Sequence, residues 1–419
     1  MNNEIINAEN ILPIRNRRFI GVFVISLSMI SVATFLQYKL SFSDLVYKII
    51  WCICIVGFIF SSYFLMTDFK QPGRYFRVIY TIFILYQCFI IIKGIINNIE
   101  LSLSLKNVWI FLGNYPVSWA FIVPLFIFFT KDIRIYFKIL NWIIIMGILF
   151  LFLCIIFPDI LTNRISAGYL GSLSFGCVYI LILAKYFDKR RVNMAFIVAL
   201  VGLVSLTYLA RRSGMFSFIM FFLVAYIINF FSKPKHFILN LLPLLIFAIV
   251  VIYFNSPTYS SKFTARLERR LTEDTRSEVF EMFFLGMKDD MIFGKGMYGT
   301  YYCPISGEDE EEGVEWAEID FREIIENGYL QLILSGGIVY LVLFVLILLP
   351  AALLGIFKSR NQFTRSCGII ILLWLIDMFL FGLPTLSLHY IFVWICVGIC
   401  YNSNLRFLSE NKIDVLLSS

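Results

Sequence analysis

Long apolar runs alternate with short polar breaks along almost the whole chain. A membrane-spanning helix needs about 20 predominantly apolar residues. Read against that length, the pattern predicts twelve spans, at roughly 19–36, 45–65, 76–96, 109–129, 137–157, 166–187, 192–209, 214–231, 237–254, 328–356, 367–382 and 387–401. The fourth run and the last two are the least regular. One break stands apart, residues 255–327, which separate the ninth and tenth runs. A stretch of that length without a role is uncommon.

The expected fold is therefore all-α and polytopic. Helices 1–9 fall within residues 1–254. A long extracytoplasmic loop with short amphipathic helices covers 255–327, and helices 10–12 with a cytoplasmic tail cover 328–419. No internal repeat relates the two halves. The first run follows a polar and then basic leader, MNNEIINAENILPIRNRRF, and no small-residue cleavage pattern follows it. It reads as a retained first helix.

Composition agrees and removes other classes. Of 419 residues, 60% are hydrophobic and 15% charged, against about 25% charged in soluble proteins. A soluble globule has too much surface to hide that apolar fraction. Twelve spans would use about 240 residues, close to the hydrophobic share. All nine cysteines except Cys303 lie in apolar runs, where a thiol packs as a small hydrophobe. No disulfide framework is expected, and Cys52-x-Cys54 lacks the partners of a zinc site.

Charge placement sets the expected orientation. Basic residues concentrate in alternate breaks, such as Arg15, Arg17 and Arg18, then Lys70, Arg74 and Arg77, and later Lys358, Arg360 and Arg365. Short basic loops stay in the cytoplasm, so both termini are predicted there. The 255–327 loop holds 17 acidic and 8 basic residues, a balance of −9. Since the chain is +7 overall, the remainder is +16.

Charges at a membrane edge are candidate chemistry. In Leu209-Ala210-Arg211-Arg212-Ser213-Gly214, two arginines sit on the side where the orientation pattern disfavours them. Arginine offers a planar fork of donors suited to phosphate, and helix N-terminal amides favour anions. Snorkelling to headgroups is the plainer reading.

Further along, Thr275-Arg276-Ser277-Glu278 has capping-box spacing. Phe280, Phe283, Phe284, Met287 and Met291 then share a helical face. Arg276 would lie in the first turn, with Arg266, Arg269 and Arg270 upstream. The segment Gly294-Lys295-Gly296-Met297-Tyr298-Gly299 contains G-x-G-x-x-G. No βαβ unit surrounds it, so a sharp turn is expected, not a dinucleotide site. Lys295 would add to an anion site. Glu323 and Glu326 precede the tenth span. They are either acid–base candidates at the membrane edge or residues placed for the helix dipole, with Arg322 and Glu326 at i,i+4 spacing.

Asp377 lies inside the eleventh span and needs a polar partner or a watery cavity. The run Glu308 to Glu312 reads as solvated. Histidine is limited to His236 and His389, so neither a zinc site nor a Ser-His-Asp triad can be assembled in the loop.

The arginine-bearing turn before Ser-Gly, the "RSEVFEMFFLGMKDDMIFGKGMYGTYY" segment and the "ENGYLQLILSGGIVYLVLF" segment follow one another in order. Together they resemble the O-antigen polymerase/ligase superfamily, over about residues 205–350 by motif. The resemblance implies a GT-C-like membrane glycosyltransferase of the bacterial inner membrane. Its donor and acceptor glycans would be carried on undecaprenyl pyrophosphate, and a chain-length regulator protein would be a further partner. It also implies that Arg211, Arg212 and Arg276 bind pyrophosphate, with Arg270 and Lys295 supporting them. Ligases of this family carry histidine where this chain has Glu326, which favours a Wzy-type O-antigen or capsule polymerase. Glu326, then Glu323, would handle the acceptor hydroxyl. No metal, cofactor or nucleic acid is called for. A ligase, or a lipid-linked oligosaccharide flippase, remains the alternative reading.

Overall fold

The structure is a computed structural model that describes residues 18–29, 44–65, 73–97, 118–130, 133–157, 164–208, 212–232, 275–304, 321–380 and 382–418. Helices dominate them. They are α1 (Arg18–Met29), α2 (Asp44–Leu65), α3 (Arg74–Asn97), α4 (Ile133–Ile156), α5 (Arg164–Ile182), α6 (Lys189–Tyr208) and α7 (Arg212–Ser232). After these come α8 (Thr275–Gly286), α9 (Gly328–Phe357), α10 (Gln362–Leu380), α11 (Leu388–Tyr401), α12 (Ser403–Arg406) and α13 (Glu410–Ser418). Ser118–Thr130 winds as a 3-10 helix around Pro124. Two short antiparallel strands pair Tyr301 with Arg322 and Tyr302 with Phe321, as β1 (Tyr301–Tyr302) and β2 (Phe321–Arg322).

Among the described residues, four helices, α3, α4, α9 and α10, are long and apolar enough to cross a membrane. Large apolar side chains face outward along the bundle, among them Ile53, Leu85, Phe152 and Ile155. Apolar exposure of that extent marks a lipid-facing surface. The protein is a helical membrane protein. The fourth expected span is described only from Ser118 onward, and there it is a 3-10 helix. The ninth, at 237–254, lies outside the described residues, as does the acidic run from Glu308 to Glu312.

α9 and α10 form the tightest hairpin, joined by a short turn at 358–361. Gly355 and Gly368 let them touch, since a Cβ on Gly368 would stand 2.7 Å from the Ala352 carbonyl. α11 sits at the centre. All fourteen of its residues are buried, and it packs against α5, α9, α10 and the 3-10 helix. With fourteen residues it spans only about 21 Å, short of the roughly 30 Å hydrocarbon core.

At one end of the bundle, called here the tail end, Glu410 at the start of α13 fastens three segments. Its carboxylate accepts from Lys185 Nζ (2.6 Å), Tyr186 Oη (2.5 Å) and the Gln362 amide (2.9 Å). Burial works to raise its pKa, but these hydrogen bonds outweigh it and hold the carboxyl below its ordinary value.

Candidate functional site

The opposite end, the loop end, gathers α8, the 287–304 segment, the two strands and the start of α9. It is organised by a break in α9. Gly337, next to Gly336, interrupts the helix by adopting φ +70°, a region open to glycine. A break there strips the amides of Ile338 and Val339 and the carbonyls of Leu334 and Ser335 of their helical partners.

The loop replaces all four. Ile338 N donates to Met291 O (2.9 Å), and Val339 N to Ile292 O (3.3 Å). Lys295 N donates to Leu334 O (2.8 Å), and Gly296 N to Ser335 O (2.9 Å). In an apolar medium each unsatisfied backbone group costs several kcal/mol, so the break and the loop depend on one another. Contact is too close for side chains. A Cβ on Gly294 would stand 2.4 Å from Gly336 N, and one on Gly337 2.1 Å from Ile292 O.

α3 braces the same junction. Tyr86 Oη donates to Gly336 O (2.8 Å), Met297 N to Ile90 O (3.2 Å) and Lys93 Nζ to Gly294 O (2.5 Å). The G-x-G-x-x-G motif thus forms a turn, but its role is to splint a transmembrane helix. Lys295 contributes its amide to that splint. Its ammonium donates to Thr300 O at 3.0 Å within the same turn.

α8 begins at Thr275, where the sequence places a helix start, and ends at Gly286. Its buried stripe is narrower than the pattern predicts. Phe283 and Met287 are buried against Tyr301, Cys303 and Ile325, whereas Phe284 is 48% exposed. Phe283 sets its ring against Tyr301 of β1, and Phe284, about 100° further round the helix, points away from that contact.

The segment before α9 also departs from expectation. Residues 321–327 are strand and bends, not a first helical turn. Asn327 is the N-cap, and its Oδ1 accepts from the amides of Tyr329 and Leu330, both at 3.1 Å. Gln331 reaches back to accept from Ile325 N (3.0 Å) and donate to Glu323 O (3.3 Å). These bonds fix a rigid turn on which Glu326 is exposed and Glu323 half-buried. The turn rests on the end of α10 through Tyr329 Oη to Leu375 O (2.6 Å) and Asn327 Nδ2 to Phe379 O (3.2 Å). Gly328 permits the approach, since a Cβ there would lie 2.3 Å from Gly382 O.

Of the sequence-predicted residues, Glu323, Glu326 and Lys295 thus share the loop end. Arg212 opens α7 and Arg276 lies in the first turn of α8. Arg211 and Arg270 lie outside the described residues.

A polar chain deep in the bundle, which the sequence pattern does not reveal, supplies the partners that Asp377 needs. Asp377 accepts a hydrogen bond from Ser217 Oγ on α7. Asp377 Oδ2 also faces His389 Nε2 at 4.0 Å. His389 Nδ1 lies 2.6 Å from Tyr179 Oη. Ser, His and Asp are all present, but Ser217 bonds the carboxylate and not the imidazole. The hydrogen bonds therefore do not run in the serine-to-histidine-to-aspartate order of a hydrolase triad.

No curated protein and no solved structure matches the chain. A family model does match, described as O-antigen ligase, over residues 197–345. That stretch runs from α6 past the break in α9, and so takes in the arginine turn, α8, the splinting loop and the Glu326 turn. Over these residues the chain carries the domain of the O-antigen polymerase/ligase superfamily.

Proposed function

We propose that the protein is a polysaccharide polymerase of the bacterial inner membrane. It joins oligosaccharide repeat units carried on undecaprenyl pyrophosphate, as O-antigen or capsule. Twelve spans, both termini in the cytoplasm and the 255–327 loop in the periplasm complete this reading, with helices 1–9 before the loop and 10–12 after it. The observation that carries it is the rigid turn at the loop end. It holds a carboxylate, Glu326, out from the bundle beside the capped start of α9, where ligases of the family carry histidine.

In the proposed reaction the acceptor hydroxyl attacks the anomeric carbon of the donor glycan with inversion. The new C–O bond forms as the bond to pyrophosphate breaks. The electron pair leaves on undecaprenyl pyrophosphate, and the hydroxyl proton passes to Glu326, or to Glu323 as the second candidate. Arg211, Arg212 and Arg276 stabilise the charge that develops on the leaving group in a poorly solvated setting, with Arg270 and Lys295 in support. The donor brings its own activation, so the scheme requires no metal or cofactor.

Gene deletion separates the readings. Loss of a polymerase leaves a single repeat unit and no ladder on a gel of surface glycan. Loss of a ligase leaves long polymer on the lipid carrier. Loss of a flippase traps single units facing the cytoplasm. The expected outcome is the first, and complementation with Arg212→Ala or Arg276→Ala should fail to restore the ladder. Polymer accumulating on the carrier would establish the ligase instead.

A further inference from the structure

The polar chain at Asp377 lies where the two halves of the candidate site meet. Ser217 stands five residues beyond Arg212 on α7, about 7.5 Å along the helix. Asp377 stands in the last turn and a half of α10. Its own carbonyl accepts from Gly382 N at 2.9 Å, which closes the helix end. That end is the surface against which Asn327, Gly328 and Tyr329 are packed. The Ser217–Asp377 hydrogen bond is therefore a direct side-chain tie between the helix that begins with the arginine turn and the helix end that supports the Glu326 turn.

The tie is made in a setting where a carboxylate is costly. Asp377 is 4% exposed and His389 6%. Phe175, Tyr179, Phe221 and Trp374 ring the imidazole, with centroids 4.5–5.9 Å away. Among the described residues, His389 Nε2 has no hydrogen-bond partner and faces Asp377 across 4.0 Å. Tyr179 fixes the ring from its far side. A leucine at 377 would pack such a site at lower desolvation cost. Four helices, α5, α7, α10 and α11, instead converge on one carboxylate and one imidazole.

We propose that Asp377, held by Ser217 and backed by His389 and Tyr179, is the positioning residue that sets the arginine turn and the Glu326 turn at their working separation. It acts through those turns and not on substrate. The inference rests on the polymerase reading of the site. Its consequence is kinetic. A misplacement of about 1 Å between donor and acceptor can cost 10²-fold in rate, whereas each substrate still binds its own half.

The test uses the full chain purified into lipid nanodiscs, with lipid-linked repeat units extracted from cells lacking the gene as donor and acceptor. Asp377→Ala should lower kcat per folded molecule by roughly 10–100-fold and leave KM within about threefold. Asp377→Asn, whose amide oxygen still accepts from Ser217, should recover most of the rate. Ser217→Ala is the milder lesion should Asp377→Ala fail to fold, and it should show the same kcat-only loss at smaller size. The proposal is overturned if kcat per folded molecule is unchanged in Asp377→Ala or Ser217→Ala, because a purely structural role alters only the yield of folded protein. It is also overturned if the loss falls in KM. Glu326→Gln and Arg212→Ala run alongside. If these two also turn over normally, the site reading has failed. If they are inactive while the Asp377 and Ser217 variants are normal, only the positioning role has failed.

Discussion

The backbone amide of Lys295 donates to the carbonyl of Leu334 across 2.8 Å. One residue is in a loop and the other in a transmembrane helix, and the bond is one the helix would ordinarily have made with itself. The break at Gly336 and Gly337 is tolerable because the loop completes the hydrogen bonding around it. Gly337→Ala and Gly294→Ala should therefore each destabilise the fold by more than about 3 kcal/mol. The measurement is thermal unfolding of the detergent-purified protein. A melting midpoint equal to that of the parent would show that the loop is not seated in the break.

Lys93 reinforces the same junction through Gly294 O at 2.5 Å and Asp290 at 3.4 Å. Lys93→Met should cost about 1.5–3 kcal/mol, in the range of a charge-assisted hydrogen bond. Asp290→Asn should cost less, because that ion pair is long and its carboxylate 38% exposed. Denaturation midpoints that rank the two variants the other way would place the main contact at Asp290.

Glu326→Gln should lower polymerisation by about 10²–10⁴-fold, the usual range for loss of a general base. Glu323→Gln should do less, since the turn engages that residue through its carbonyl, which Gln331 holds. Turnover assays on purified protein check this ordering, and equal, small effects would remove both carboxylates from the chemistry.

At the arginine turn and in α8, charge alone should not suffice. Lysine presents a point charge where arginine presents a planar fork. Arg212→Lys and Arg276→Lys should thus retain only part of the activity, above their alanine counterparts and below the parent. Lysine variants as active as the parent would indicate a purely electrostatic role.

Glu410 predicts a pH dependence at the tail end. Its pKa is lower in the folded chain than in the unfolded one, so its bonds to Lys185, Tyr186 and Gln362 stabilise the protein above the ordinary glutamate value. That contribution is lost as pH falls through the lowered folded value. Glu410→Gln should lower stability at pH 7 by on the order of 1 kcal/mol. The gap between variant and parent should close under acid conditions, and a gap that persists there would assign it to packing.

Much of the fold was legible because lipid imposes a simple rule: apolar runs of span length become helices. The ends of α2, α3, α7 and α9 fall within two residues of their expected positions. The start of α9 falls at its expected residue, but the segment just before it is strand and bends where Glu323 and Glu326 would suit a helical turn, because Asn327 caps the helix at that point. The glycines of the loop announced a turn but not its partner. Nothing in Gly294-Lys295-Gly296 says that its amides will be taken up by Leu334 and Ser335, some forty residues away. Asp377 was visible as an anomaly, but Ser217, His389 and Tyr179 are scattered over three other helices. Their convergence is a property of packing, which periodicity does not encode.

The central helix α11 bears on how the protein is made. It is fourteen residues long and is enclosed by its neighbours. It is too short to hold a transmembrane position by itself, so it enters a berth already shaped by α5, α9, α10 and the 3-10 helix. Assembly then closes at the centre, with α11 as the plug. A variant whose α11 cannot seat would insert its other helices and still leave the middle of the core unfilled. Quality control acting on such a product would find an unfilled interior, not a missing edge.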